Sequence, residues 1–209
     1  MGTIRNPQLS LFVKASARLF GDLTGYLILT DNRAVAVNGT AALVIDLAPD
    51  TVPVPFIGNA VPASVVRALD QLPRIVTLTV ENTGTGQWLS AVCEGGISVD
   101  FALPESGSKT LKIANRLLAA AGQPAVEELG SRKLAEFGNG WHFGEFSFLK
   151  TVLKPVLETV KTVHPLAPKS TLVTADIALA SELVSPKPVA VLRLKVSTFT
   201  ALVLPATVN

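Results

Sequence analysis

Cysteine occurs once in this chain, as Cys93, and histidine twice, as His142 and His164. A single cysteine permits no internal disulfide and fits a reducing compartment. Two separated histidines beside one cysteine do not supply a metal-ligand cluster, and no cofactor is expected. No apolar run reaches the length of a membrane span, because charge-free runs such as 34–45 and 51–66 are short and broken by Asn, Gly or Pro. Lys14 follows too short an apolar run for a secretory leader. Together these absences predict a soluble cytoplasmic protein. Excess charge is lacking too. At a net charge of +2, any affinity for a polyanion must come from where the charges sit.

Catalytic motifs are equally scarce. No elbow motif surrounds any serine, so His142 and His164 have no nucleophile to activate. Gly84-Thr85-Gly86 lacks a third glycine before a helix and reads as a turn rather than a phosphate cradle. Cys93 sits in an apolar strand as a core residue. Glu127 and Glu128 read as a solvated pair, His142 as structural, and His164, before Pro165, as a loop residue. The expectation is a protein that is not an enzyme.

What is present is a core-forming composition, 48% hydrophobic and 16% charged over 209 residues, enough for one large domain or two smaller ones. The stretch 6–20 places Leu9, Phe12, Val13, Ala17 and Phe20 on one helical face. Asn6 and Pro7 start this helix, Gly21 stops it, and Lys14 and Arg18 lie on the outer stripe with no acid in the segment. Strands follow at 23–29 and 33–46, the second folded at Asn38-Gly39 as a two-residue hairpin turn. This unit recurs. A helix from 61 to 72 points Val65, Leu69 and Leu72 inward and precedes strands at 75–80, 88–92 and 97–103. A helix at 109–121 follows the polar break 106–108 and is ended by Gly122. After it, 125–129 and 133–137 read as short strands, although 126–137 fits a helix as well, and an Asn139-Gly140 turn leads into 141–146. Ser147 caps a fourth helix running to 162, with Phe148, Leu149, Val152, Leu153, Val156 and Val160 inward and a kink at Pro155. Strands at 172–183, 189–196 and 201–208 close the chain. A helix plus about three strands, four times over, predicts an α+β fold of two similar domains, 1–105 and 106–209. Each would pack two helices on antiparallel sheets.

The charges follow this skeleton. The helices at 7–20 and 109–121 carry Lys14, Arg18, Lys109, Lys112 and Arg116 and no acid. The helix at 147–162 adds Lys150, Lys154 and Lys161 against Glu158, and Arg67 is balanced by Asp70. Most remaining acids, including Asp46, Glu81, Asp100 and Asp176, fall in strands and turns. A Lys/Arg stripe is ordinarily just a solvated face. Acid-free stripes on two helices and a strong bias on a third point instead to contact with phosphates. No aromatics interleave with the cations, which argues against a base-stacking single-strand platform. No helix gathers Asn, Gln and Arg for groove reading, which leaves non-specific contact with the duplex backbone.

Cationic helices, each followed by a small antiparallel sheet and repeated in pairs, resemble the DNA sliding-clamp (processivity factor) family. Local residues add to the likeness. Thr30, Asp31, Arg33 and Ala34 resemble the bacterial clamp's strand-turn-strand segment with a turn one residue shorter. The stretches 60–72 with 76–80, and 146–161, resemble the family's later half-domain openings. Val203, Leu204, Pro205 and Ala206 are similar to the closing strand that completes the pocket for polymerase peptides, with Ala206 smaller than the usual apolar residue and no basic residue after it. The resemblance spans most of the chain apart from 122–140. It implies a ring of helices around double-stranded DNA, with DNA polymerase and clamp loader as partners. A two-domain chain implies a phage-like or divergent homotrimer rather than a dimer. The DNA-facing set would be Lys14, Arg18, Arg67, Lys109, Lys112, Arg116, Lys150, Lys154 and Lys161. Two other readings fit the composition: a structural or interaction module that encloses no channel, and an open single-strand binder.

Overall fold

A computed structural model describes residues 2–4, 9–22, 24–29, 33–46, 60–103, 119, 122–163, 172–180, 189–196 and 199–205. The first helix, α1 (Leu9–Phe20), carries its apolar residues at helical spacing and ends where Gly21 takes φ 51° and donates its N–H to Ala17 O at 3.0 Å. Strands β2 (Gly25–Leu29), β3 (Arg33–Asn38) and β4 (Ala41–Asp46) follow as an antiparallel meander. The turn between β3 and β4 falls where it was expected, but its mechanism differs. Gly39 takes no positive φ. Instead the Asn38 side-chain carbonyl accepts from Thr40 N–H at 2.9 Å, Thr40 Oγ1 at 3.1 Å and Ala41 N–H at 2.8 Å. The asparagine side chain, rather than a left-handed glycine, reverses the chain.

Strand β1 (Gly2–Ile4) leaves this meander to pair with β6 (Ile75–Thr83), and β5 (Ala60–Pro62) pairs with β2. Each of these short strands thus leads towards one helix and joins the sheet that follows the other. Residues 61 and 62, expected to open a helix, are therefore extended, and α2 (Ala63–Asp70) begins after Pro62. Val66 and Leu69 are its buried contacts, whereas Val65 and Leu72 are half-buried. With β7 (Gly86–Cys93) and β8 (Ser98–Leu103), β1 and β6 form a four-stranded sheet of order β1-β6-β7-β8.

The later part of the chain departs most from expectation. The stretch 125–133 is one long strand, β9 (Ala125–Lys133). The expected strand at 133–137 is instead a 3-10 helix, Leu134–Asn139. Glu136 reaches back to accept the Lys133 N–H at 3.2 Å, while Leu134 and Phe137 turn into the core. The next hairpin turns at 144–145 rather than 139–140, joining β10 (Trp141–Phe143) to β11 (Phe146–Phe148). Ser147 is therefore a strand residue and not a helix cap. Its hydroxyl meets His142 Nδ1 at 3.0 Å across the pair. Helix α3 (Lys150–Val163) starts later than expected, so Phe148 is buried from a strand and Leu149 is 47% exposed. Pro155 does lie inside α3. Strands β12 (Leu172–Ala180), β13 (Val189–Val196) and β14 (Phe199–Val203) complete the described chain. The helix expected at 109–121 lies outside the described residues apart from 119.

β14 pairs with β4, which fuses the first and last meanders into one eight-stranded antiparallel sheet of order β5-β2-β3-β4-β14-β13-β12-β9. The two-residue period of its strands sorts its side chains. Leu27, Ala36, Leu43, Ala201, Leu192 and Ile177 face the helices and join the main core, while Ile28, Val35, Val37, Val44, Val191 and Leu202 form a second buried cluster on the opposite face. The architecture is α+β, with helices layered on antiparallel sheets.

Candidate nucleic-acid interface

Helix α1 lies between α2 and α3 and rests on β3, β4 and β6. Phe12, Val13, Ala15, Ser16, Ala17, Leu19 and Phe20 are all buried by these neighbours, and Ser16 donates to Phe12 O at 2.7 Å to satisfy its hydroxyl. Only Lys14 and Arg18 among residues 12–20 reach solvent. They stand four apart and so share one face. Thr159 ties α3 to this arrangement, donating to Pro155 O at 2.8 Å and approaching Ala15 O on α1 at 3.4 Å.

On α3, Lys150, Thr151 and Lys154 are exposed, and on α2, Ser64 and Arg67. Arg67 donates to Gly21 O at 2.9 Å, placing a cation at the carbonyl end of α1, where the helix dipole is negative. Lys161 is half-buried and its Nζ lies 2.7 Å from Glu158 Oε1. Among the described residues, no ion pair engages Lys14, Arg18, Lys150 or Lys154. Six of the expected cations thus lie on α1 and the two helices packed against it, and four of them have no counter-charge among the described residues. Lys109, Lys112 and Arg116 lie outside the described residues.

Some of the acids outside the helices are paired rather than bare. Asp46 pairs with Arg33 at 2.8 Å, and Glu94 lies 3.9 Å from Arg74. Asp176 is buried, bonded to Arg193 directly opposite on β13 and to Lys195 at 3.2 Å. Asp46 and Asp176 thus pair with strand cations, whereas Glu81, Asp100, Glu127 and Glu128, also on strands, are in no ion pair among the described residues. Sequence reasoning passed over Arg74, which lines a cleft of about 310 Å3 with Lys14, Asp70 and Ile75 between α1, α2 and β6. Its position just after Pro73, at the end of α2, was the available signal.

Of the residues expected to receive a partner peptide, Val203 is not available. It is fully buried on the helix-facing side of the sheet, as the two-residue alternation of β14 requires. Leu204 and Pro205 are half-buried, and Leu204 packs against the second cluster. Ala206 lies outside the described residues. Cys93 is a core residue, buried among Ile75, Leu78 and Ala91 in the main cluster. Among the described residues, no group of three or more His, Cys, Asp or Glu side chains gathers to hold a metal. No helix there is long and apolar enough to cross a membrane.

Paired helices laid over antiparallel sheets, with the first and last meanders joined edge to edge, define a clamp-like α+β fold. Among solved structures, the chain resembles the DNA polymerase III β subunit of Thermotoga maritima, with 8% identity and a TM-score of 0.51 over 100% of this chain. It also resembles a candidate DNA polymerase III β subunit from Eubacterium rectale ATCC 33656, with 11% identity and a TM-score of 0.52 over 100% of this chain. In each case the chain spans 65% of the neighbour's length. At such identities the likeness is one of fold. No protein-family profile and no curated protein sequence matches the chain.

Proposed function

We propose that the protein is a DNA sliding clamp, a non-enzymatic tether that encircles duplex DNA and holds a polymerase to it. The observation that carries this reading is α1, a helix walled in on its sides and base whose residues 12–20 offer solvent only Lys14 and Arg18. Lys150 and Lys154 on the adjoining α3 extend the same layer. A topological tether needs only weak attraction to phosphates, because escape is blocked by closure rather than by affinity. Four cations in no ion pair among the described residues and a near-neutral chain suit that role better than they suit an open binder, whose affinity would have to come from charge.

In this reading residues 1–105 and 106–209 form two clamp-type domains, and three copies close the ring. Polymerase and loader peptides dock beside Leu204 and Pro205, at the seam where β14 meets β4. A phage or divergent bacterial cytoplasm is the setting. The test is the mass of the protein in solution combined with negative-stain images. Three copies of the 21.9 kDa chain and a central hole are expected. A monomer at micromolar concentration overturns encirclement and leaves a module that contacts partners without enclosing them.

A further inference from the structure

Two surfaces in this fold have been given separate roles, the cationic stripe on α1 and the Leu204 end of the sheet seam, and a continuous run of hydrogen bonds joins them. The Leu204 N–H donates to Thr40 O at 2.9 Å. The Thr40 N–H and hydroxyl donate to Asn38 Oδ1 at 2.9 and 3.1 Å. Asn38 Nδ2 donates to Leu19 O at 2.9 Å, on the last turn of α1 and one residue beyond Arg18. Asn38 is 5% exposed and its bond to Leu19 O is buried, so losing that bond leaves a buried group without a partner.

We propose that Asn38 is a positioning residue that couples the Arg18 end of α1 to the Leu204 end of the seam, so that duplex bound at the stripe changes the docking edge at Leu204. The inference rests on the clamp reading. Its physical content is that one side chain makes both links. Its amide donor holds the carbonyl end of α1, and its carbonyl acceptor holds the turn whose next carbonyl receives Leu204. A shift of α1 towards phosphates therefore bears on Thr40 through a single buried group, without passing through the apolar core.

The test uses the full-length protein and a random-sequence DNA duplex. Hydrogen exchange of the Leu204 amide is read with and without DNA, and DNA binding is followed separately by fluorescence anisotropy. Asn38→Asp keeps an oxygen that receives Thr40 and Ala41 and replaces the donor to Leu19 O with a second, repelling oxygen, so that the link to α1 is broken while the link to the turn is kept. In the unaltered protein, duplex is expected to change exchange at Leu204 by about fivefold or more, the lower end of ordinary coupling between sites. In Asn38→Asp, duplex still binds, but its effect on Leu204 falls below about twofold. The readout is the DNA-dependent difference, which a purely structural role for Asn38 would leave in place. An unaltered response in Asn38→Asp, or no response in the parent protein while duplex is bound, overturns the coupling and leaves the clamp reading standing. Absence of any duplex binding to the parent overturns both.

Discussion

Neutralising the stripe should flatten the salt dependence of duplex binding, and the structure says by how much. Lys14, Arg18 and Lys154 are exposed and, among the described residues, in no ion pair. A cation that touches a phosphate adds about 0.9 to the magnitude of the slope of log K against log salt. Replacing all three with alanine removes up to three such contacts from each engaged chain, so the slope should fall by about 2.7. Lys161 supplies the internal control. Its ammonium is already 2.7 Å from Glu158 Oε1, so Lys161→Ala should shift the slope by less than about 0.5. The triple variant should stay folded, because alanine is the best helix former and both α1 positions face solvent. Anisotropy of a labelled duplex titrated between about 50 and 200 mM salt reads the slope directly. A triple variant whose slope matches the parent, or a Lys161 variant that loses as much, would refute the assignment of this face to DNA.

Three further outcomes follow from the packing. At Gly25 an added Cβ would lie 2.6 and 2.7 Å from the Phe20 ring carbons and 2.8 Å from Val37 O. Phe20 is fully buried and a backbone carbonyl cannot swing away, so Gly25→Ala should cost about 1–3 kcal/mol in urea unfolding; an unchanged midpoint would mean that β2 sits further from α1 than described. Asp176→Asn removes the carboxylate charge facing Arg193, which is 3% exposed, and should cost about 3–5 kcal/mol. A loss under about 1 kcal/mol would place that pair in water. Leu204→Asp puts a charge against the second apolar cluster at the end of β14 and should abolish binding of a polymerase-derived peptide in calorimetry while leaving the solution mass unchanged. Peptide binding that survives would move the groove elsewhere.

The parts of this fold that could be read from the chain are those where a local rule and the tertiary environment agree. Leu9–Phe20 has a helical apolar stripe, and Gly21 is a residue that can take φ 51° without strain, so its end fell where expected. The alternating stretches 75–83 and 86–93 became half-buried antiparallel strands for the same reason. The misreadings cluster at 133–149, where two periods compete. Leu134 and Phe137 are three apart, which suits a 3-10 turn, whereas Phe146 and Phe148 alternate and pair with Phe143 and Trp141 as a hairpin. Glu136, three residues after Lys133, was the overlooked sign of a helical start. In the candidate site, the cations of α1 and α3 were legible because helix faces follow from spacing alone. That Asp176 opposes Arg193, or that Val203 faces inward while Leu204 does not, depends on register between distant strands. No local pattern fixes that.

The seam between β4 and β14 also sets a timetable for synthesis. Ala41 must wait for Val203, about 160 residues later, before its outer edge is covered. At roughly 5–20 residues per second, the ribosome leaves the nascent β4 edge open for on the order of ten seconds or more. During that interval an apolar strand with unsatisfied amides is free to zip onto a neighbouring nascent chain. Crowded polysomes, more than any property of the finished molecule, are where this protein is most exposed to going astray.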